Sequence, residues 1–587
     1  MFNKLYKKLL LIAGVAIMVT SCSKDFLEVA PYGKSEADKF YSTEDEMSLG
    51  LYAAYDMLAT DQLQGWSSPF FMKNLPSDDS NVGGGNASDQ PQYQSIDNFD
   101  WQPGNQGFKA YYSIYYYGVY RCNQLINNAK ISTDGAKLIL AQAKFLRAYY
   151  FFELTTAFGA VPLRLTNAEA LDASKERSPQ KDVYAQIAKD LNEAIPVLKN
   201  KKDLATADRF RASKQTAQAL LGKMYLYAGD YANAKAALEA VIATEGTQVG
   251  LTPNFADILR KGAEFNEESL LEASFVSEGK TWGNVTWDRN AEDNRHLQLW
   301  GPRDFNDSYN LLGYDLQGGW GFNTPTRKLL NSLDPADPRT KSTVYDFTAS
   351  YKLISDSLQA KLASNAASFN KTLEVYLTSA DKLEYKKDVI LAKMRKEPLK
   401  SGLGIDAAVV SKALAKGPGT EEYSSLMAAA VQSELGFSYN VNGWKQEGVL
   451  RIKYGNFKDE TTDAGGVNIE LNYGTNWRLI RYADVLLMAA EANYKLGNIG
   501  VALEQLNKVR NRAKATLLTA LSFNDIVKER QIELAFEGAR FFDLVRWDMA
   551  DKELKSLGFI KGKHEHFPIP LDEMNANTLI GQQNDGY

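Results

Sequence analysis

Residues 220–241 read Leu220-Leu221-Gly222-Lys223-Met224-Tyr225-Leu226-Tyr227-Ala228-Gly229-Asp230-Tyr231-Ala232-Asn233-Ala234-Lys235-Ala236-Ala237-Leu238-Glu239-Ala240-Val241. Apolar and small residues recur at spacings of three and four on both sides of Gly229-Asp230, which predicts a helix, a tight turn and a second helix. Gly222 and Ala234 let the two helices approach closely, and Tyr225 and Leu238 fill the space between them.

The order Leu221, Gly222, Tyr225, Gly229, Tyr231, Ala234, Leu238 fits tetratricopeptide spacing. A weaker copy runs from Leu486 to Val509, with Ala490, Gly497, Ala502 and Leu506 in matching positions. Gly229 and Gly497 lie 268 residues apart, so the chain is not a simple tandem solenoid.

Working outward, helical signals dominate. Thr43 and Glu46 form a capping box ahead of Met47, Leu51, Tyr55 and Leu58. Phe108–Ala129 and Lys137–Phe158 predict two long helices joined by a short turn, the second ended near Pro162. Two stretches break the pattern. Residues 67–107 dissolve into Pro, Gly, Asn, Asp and Ser, and residues 282–320 are rich in Trp, Gly, Asn and Asp; both read as irregular and as candidate binding regions. Residues 348–427 read as a helical insertion of unreadable role. The fold expected is mostly α, with dispersed tetratricopeptide-like helix pairs and an irregular, loop-rich ligand-binding side.

At the N-terminus Lys4, Lys7 and Lys8 precede an apolar run from Leu9 to Val19. Eleven apolar residues on a helix span about half of a ~30 Å hydrocarbon core, so the segment reads as a secretory signal and not as an anchor. Val19-Thr20-Ser21-Cys22 resembles a lipobox, in which Cys22 is acylated and becomes the mature first residue. Several buried acyl chains hold a protein to a membrane without spanning it. Residues 1–21 are then leader and 22–40 a polar tether, leaving Cys122 without a cysteine partner.

The net charge is −5, and losing the three leader lysines takes it to −8. An acidic surface repels phosphate backbones, which argues against nucleic acid as a partner. Three histidines, His296, His564 and His566, show no defensible metal-ligand spacing, and His564-Glu565-His566 reads as a solvated loop. A nucleophile elbow, a Walker loop and an EF-hand are all missing from the sequence. Gly402-Leu403-Gly404 lacks the preceding buried strand that a dinucleotide site needs. No cofactor, catalytic residue or metal site is expected.

The informative set is aromatic. Trp66, Tyr93 and Trp101 lie in the first irregular stretch, and Trp282, Trp287, Trp300 and Trp320 in or bounding the second. A sugar ring lays its axial C–H face on an indole while its hydroxyls seek amides and carboxylates, here Asp78, Asp79, Asn81, Asn105, Asn284 or Asp288. Asp79, Trp101, Trp287 and Trp320 lead the candidates, followed by Asp78, Asn81, Trp66 and Trp282.

Three segments resemble the SusD/RagB family: Ala143-Lys144-Phe145-Leu146-Arg147-Ala148-Tyr149-Tyr150 with Phe158-Gly159-Ala160-Val161-Pro162-Leu163; Arg481-Tyr482-Ala483-Asp484-Val485-Leu486 with the charged run Glu529 to Trp547; and Pro568-Ile569-Pro570 with Gln583-Asn584-Asp585-Gly586-Tyr587. Glu529, Arg530, Glu533, Glu537, Arg540, Asp543 and Arg546 recur at helical spacings and read as a structural clamp, not a catalytic set. The resemblance implies an N-terminal region over 41–275 and a C-terminal region over 276–587. It further implies a lipid-anchored receptor at the outer-membrane surface that captures oligosaccharide for a SusC-like TonB-dependent transporter. The alternatives are a surface glycosidase and a peptide-binding scaffold of the same system.

Overall fold

The computed structural model describes residues 40–60, 68–166, 174–276, 279, 281, 295–303, 316–346, 445, 447–461 and 468–587. The first helix, α1 (Glu44–Asp56), starts where expected: the Thr43 hydroxyl accepts from the Glu46 amide and the Glu46 carboxylate returns to the Thr43 amide. The long helices are α4 (Gln106–Asn128) and α5 (Asp134–Phe158), preceded by the short α2 (Pro69–Asn74) and α3 (Pro91–Asp97). The first irregular stretch therefore holds two helices. Ser68 caps α2 and proline stands in the first turn of each, where a missing N–H costs nothing. It also holds the strand β1 (Ser80–Gly83).

After the small pair β2 (Val161–Pro162) and β3 (Arg177–Ser178) comes α6 (Gln180–Ala194), and then the predicted hairpin, α7 (Lys214–Tyr227) and α8 (Tyr231–Ile242). A Cβ on Gly222 would lie 2.5 Å from Leu238 Cγ, so the close approach read from the sequence is real. Gly229 turns the chain with φ +75°, as Gly497 does with φ +81° in the second hairpin.

The remaining elements are β4 (Ser269–Ala273), α9 (Arg295–Trp300), β5 (Phe322–Pro325), α10 (Arg327–Ser332), α11 (Pro338–Thr343), β6 (Val344–Asp346), β7 (Val449–Arg451), β8 (Trp477–Arg481), α12 (Tyr482–Lys495), α13 (Ile499–Arg512), α14 (Phe523–Leu534), α15 (Arg540–Arg546), α16 (Ala550–Leu554) and α17 (Leu571–Ala576). Helices α4 to α8 pack in chain order, and α8 packs directly on α12, joining the two hairpins that the sequence separates. The strands form two-stranded antiparallel ladders: β1 with β5, β2 with β3, β4 with β8 and β6 with β7. The fold is mostly α, as expected.

The β4–β8 register sets Ser269 opposite Arg481, and this assembles the interior clamp. Arg481 Nη1 reaches Glu268 at 2.7 Å and Glu533 at 2.6 Å, and its Nε reaches Glu537 at 2.8 Å. Arg530 holds Asp484 and Asp543, each at 2.8 Å, and Arg546 Nη2 reaches Glu491 at 2.7 Å. The charged run from Glu529 to Arg546 is thus largely buried and multiply paired, the arrangement in which removing one partner strands a charge. Cys122 is free and buried.

His564 corrects the expectation of a solvated loop. It is fully buried among Phe99, Trp101 and Phe559, its Nδ1 accepts from the Ile560 amide at 2.9 Å, and burial pushes its pKa down to about 4. Among the described residues no cluster of ligating side chains could hold a metal. Among the same residues no helix is long and apolar enough to cross a membrane. Residues 1–39 and 348–427, with Cys22, the tether as far as residue 39, the insertion and the Gly402 to Gly404 motif, lie outside the described residues.

Candidate functional site

The two irregular stretches meet through glycine. Ser80 pairs with Pro325 and Gly83 with Phe322. Gly83 and Gly84 then adopt φ of +69° and +91°, conformations that L side chains rarely take. A Cβ at Gly83 would sit 2.1 Å from the Gly321 carbonyl, and the Gly84 amide donates to that carbonyl at 2.8 Å. The loop that begins at Gly84 is thereby fixed against Gly321 and Phe322.

Arg303 closes the arrangement. Its Nη1 donates to the Trp320 carbonyl at 3.2 Å and stands 3.5 Å from Asp89 Oδ2, which also accepts from the Gly85 amide at 2.8 Å. A Cβ on Gly85 would lie 2.7 Å from Arg303 Nη2, so the guanidinium rests on bare backbone. Gln94 braces the loop, its Nε2 donating to the carbonyls of Gly83 and Asp89 at 3.1 Å each. Trp320 is half-buried, packed on the core from one side, while the side chains of Arg303 and Asp89 are 33% and 29% exposed. A rim results in which the backbone of Trp320 is tied to a partly exposed guanidinium and carboxylate, and part of the residue's own surface stays open; these groups are suited to stacking and to hydrogen bonding.

Of the sequence candidates, Trp320 stands in this rim. Asn81 lies on β1 nearby, half-buried, its Nδ2 donating to Glu447 Oε1 at 2.7 Å and to the Lys445 carbonyl at 3.2 Å. Three others turn inward and need correction. Trp101 is fully buried among Phe99, Phe108, Phe541 and Phe567, and its Nε1 donates to the Ile96 carbonyl at 2.9 Å, so no ring face is left for a sugar. Asp78 is buried under Arg540 and Lys328, whose Nζ lies 2.8 Å away. Burial alone would raise its pKa, but the bonds and charges of those two cations outweigh it and hold the carboxyl below its usual range. Asp79 is buried too and accepts from Gln531 Nε2 at 2.7 Å; burial, with the charge of Asp78, pushes it up to about 6. Trp66, Trp282 and Trp287, with Asn284 and Asp288, lie outside the described residues. Asn105 caps α4 through the Gly107 amide at 2.8 Å. Tyr93 and Trp300 are buried, Trp300 beneath the guanidinium of Arg451 at 4.2 Å.

Sequence reasoning missed Asp89 and Arg303. Both lie within or next to the flagged stretches, but a lone arginine between two tryptophans carries no periodic signal.

The family model described as "SusD family" matches residues 282–565, and that described as "Starch-binding associating with outer membrane" matches residues 25–226. SusD-like protein P2 of Formosa agariphila is 24% identical over 98% of this chain and 99% of its own length. Among solved structures, a laminarin-binding SusD-like protein is 29% identical, with a TM-score of 0.71, over 93% of this chain and 100% of that one. Surface glycan-binding protein A from Bacteroides thetaiotaomicron, in complex with laminarihexaose, is 22% identical with a TM-score of 0.67, over 92% and 100% of the respective chains. With two family models covering it from residue 25 to residue 226 and from 282 to 565, on an architecture shared almost end to end with these structures, the chain belongs to the SusD/RagB family.

Proposed function

We propose that this protein is a cell-surface glycan-binding lipoprotein that captures oligosaccharide at the outer membrane and passes it to a SusC-like TonB-dependent transporter. The observation that carries the reading is the junction of the two irregular stretches around Trp320, Arg303 and Asp89, held by the Gly84–Gly321 hydrogen bond. A partly exposed indole, on a residue whose carbonyl is tied to a paired guanidinium and carboxylate, suits weak, shallow binding of a neutral sugar with its hydroxyls satisfied nearby. The laminarin-binding relative makes laminarihexaose the first probe. The acylated thiol of Cys22 supplies the membrane attachment, through the tether over 22–40.

Binding without turnover is the favoured chemistry. A glycosidase needs two carboxylates about 5 to 10 Å apart across one cleft, one with a raised pKa. Here Asp89 is engaged by Arg303 and Gly85, and the acid pushed up to about 6, Asp79, is sealed in the interior. Calorimetric titration of the purified protein with laminarihexaose, followed by chromatography of the recovered sugar, tests the reading. Micromolar to millimolar binding with intact sugar is expected; released products, or no heat with any neutral glycan, would overturn it.

A further inference from the structure

A second cleft, of about 720 Å³, opens between the loop that precedes α7 and the segment that leads into β4, and it shares no residue with the Trp320 rim. Its volume falls within the range of small-molecule sites, about 300 to 1,000 Å³. Its charge is opposite to that of the chain as a whole. Lys201, Lys202, Arg209 and Arg211 face two carboxylates, Glu267 and Glu272.

Most of the cationic charge there is uncommitted. Arg211 is occupied, its Nε 2.7 Å from Asp208 and its Nη2 donating to the Tyr52 hydroxyl at 2.9 Å. Among the described residues Lys202 and Arg209 have no carboxylate partner. Lys201 donates to the Asn266 carbonyl at 2.5 Å, and burial pushes its ammonium down to about 8. Glu272 is paired with Arg478, whose Nε lies 3.4 Å away, and also accepts from the Phe265 amide and Asn476 Nδ2, each at 2.8 Å. Asn266 Nδ2 is buried with no acceptor. Lys201, Lys202 and Arg209 are thus three cations with no carboxylate partner among the described residues, beside an unsatisfied amide donor and against the single free carboxylate of Glu267.

We propose that this cleft is a second ligand site that takes an acidic oligosaccharide, one whose sugars carry carboxylate or sulfate. An excess of cationic donors over free carboxylates is the complement of an anionic, hydroxyl-rich ligand. The cleft by itself calls for an anion, and the choice of a saccharide rests on the glycan-receptor reading above.

Calorimetric titrations of the full chain with tetragalacturonate, with a sulfated galactan tetrasaccharide and with laminarihexaose test this, using the wild type, the double variant Lys202→Ala/Arg209→Ala and Trp320→Ala. Both cations are exposed, so the double variant is expected to fold. The wild type is expected to bind at least one acidic tetrasaccharide, more weakly as salt is raised. The double variant is expected to lose about tenfold or more of that affinity, a step of about 1.4 kcal/mol, and to keep laminarihexaose binding. Trp320→Ala is expected to show the converse. Wild-type failure to bind either acidic sugar, acidic binding untouched by the double variant, or binding of a glutamate-rich peptide in place of the sugars would overturn the proposal. Loss of laminarihexaose binding alone would count against the Trp320 reading and leave this site standing.

Discussion

Asp78 accepts two hydrogen bonds from Arg540, at 2.8 Å from Nε and 3.0 Å from Nη2, across 462 residues of chain. The pair ties the start of the first irregular stretch to the C-terminal charged run, and Lys328 adds a third contact. What reads in sequence as a polar loop is in fact pinned to the scaffold. Replacing Asp78 by Ala leaves the Arg540 guanidinium buried and unpaired, and is expected to cost about 3 to 5 kcal/mol in urea unfolding. The depressed Asp78 pKa also sets a sign. The pair stabilises above the ordinary carboxylate value of 3.8 and loses that contribution as pH falls through the lower folded value. Wild-type stability is therefore expected to fall in acid more than that of Asp78→Ala.

Asp79, the next residue, behaves in the opposite way. Its carboxyl rises from 3.8 to about 6, so the folded state holds a proton that the unfolded chain releases. Its contribution is fully present below pH 3.8 and is lost as pH rises through about 6, a difference of about 3 kcal/mol by linkage. Asp79→Asn removes the titration while keeping an oxygen to accept from Gln531. The variant is expected to melt higher than wild type at pH 8 and close to it at pH 4. Equal shifts at both pH values would show that Asp79 does not titrate in this window.

The helix pairs were legible in the sequence because their cause is local: a period near 3.6, small residues at a crossing, and glycine in each turn. Gly222 and Leu238 meet as the spacing requires. Asp78 was not legible, because its hydrophilic neighbours signal exposure while its partner lies on α15, far along the chain. Trp101 fails for a related reason. The Pro, Gly and Asn around it are turn residues, but the turns fold inward onto Phe541 and Phe567, which are supplied by distant segments. The rim at Trp320 was half legible: composition located both stretches, and only the fold could say that Gly84 meets Gly321 and brings Arg303 to Asp89.

Gly222 gives a sharp test of the hairpin packing. Gly222→Ala would place a methyl 2.5 Å from Leu238 Cγ and 2.6 Å from its Cδ2, inside contact distance on two atoms. Helix propensity favours alanine by about 1 kcal/mol, whereas overpacking costs about 1 to 3 kcal/mol. A net loss of stability is expected, with rescue by the double change Gly222→Ala/Leu238→Ala, which vacates the space. An additive loss in the double variant would mean that the two helices do not touch there.

Trp101 and Trp320 separate packing from capture. Trp101→Ala removes a fully buried indole from an aromatic cluster and breaks the bond from Nε1 to Ile96, so a loss of about 3 to 5 kcal/mol is expected in urea unfolding. Phenylalanine at 101 keeps most of the volume and is expected to recover much of that loss, and laminarihexaose affinity should match wild type once the protein is folded. Trp320→Ala takes away a half-buried ring that is not sealed in the core as Trp101 is, so the stability cost is expected to be smaller. Its effect on titration should be large, a fall of about tenfold or more, as expected when a stacking surface worth about 1.4 kcal/mol is removed. If Trp101→Phe weakens binding and Trp320→Ala does not, the sugar sits elsewhere, because a ring with no exposed face reaches a ligand only through rearrangement of the core around Phe567.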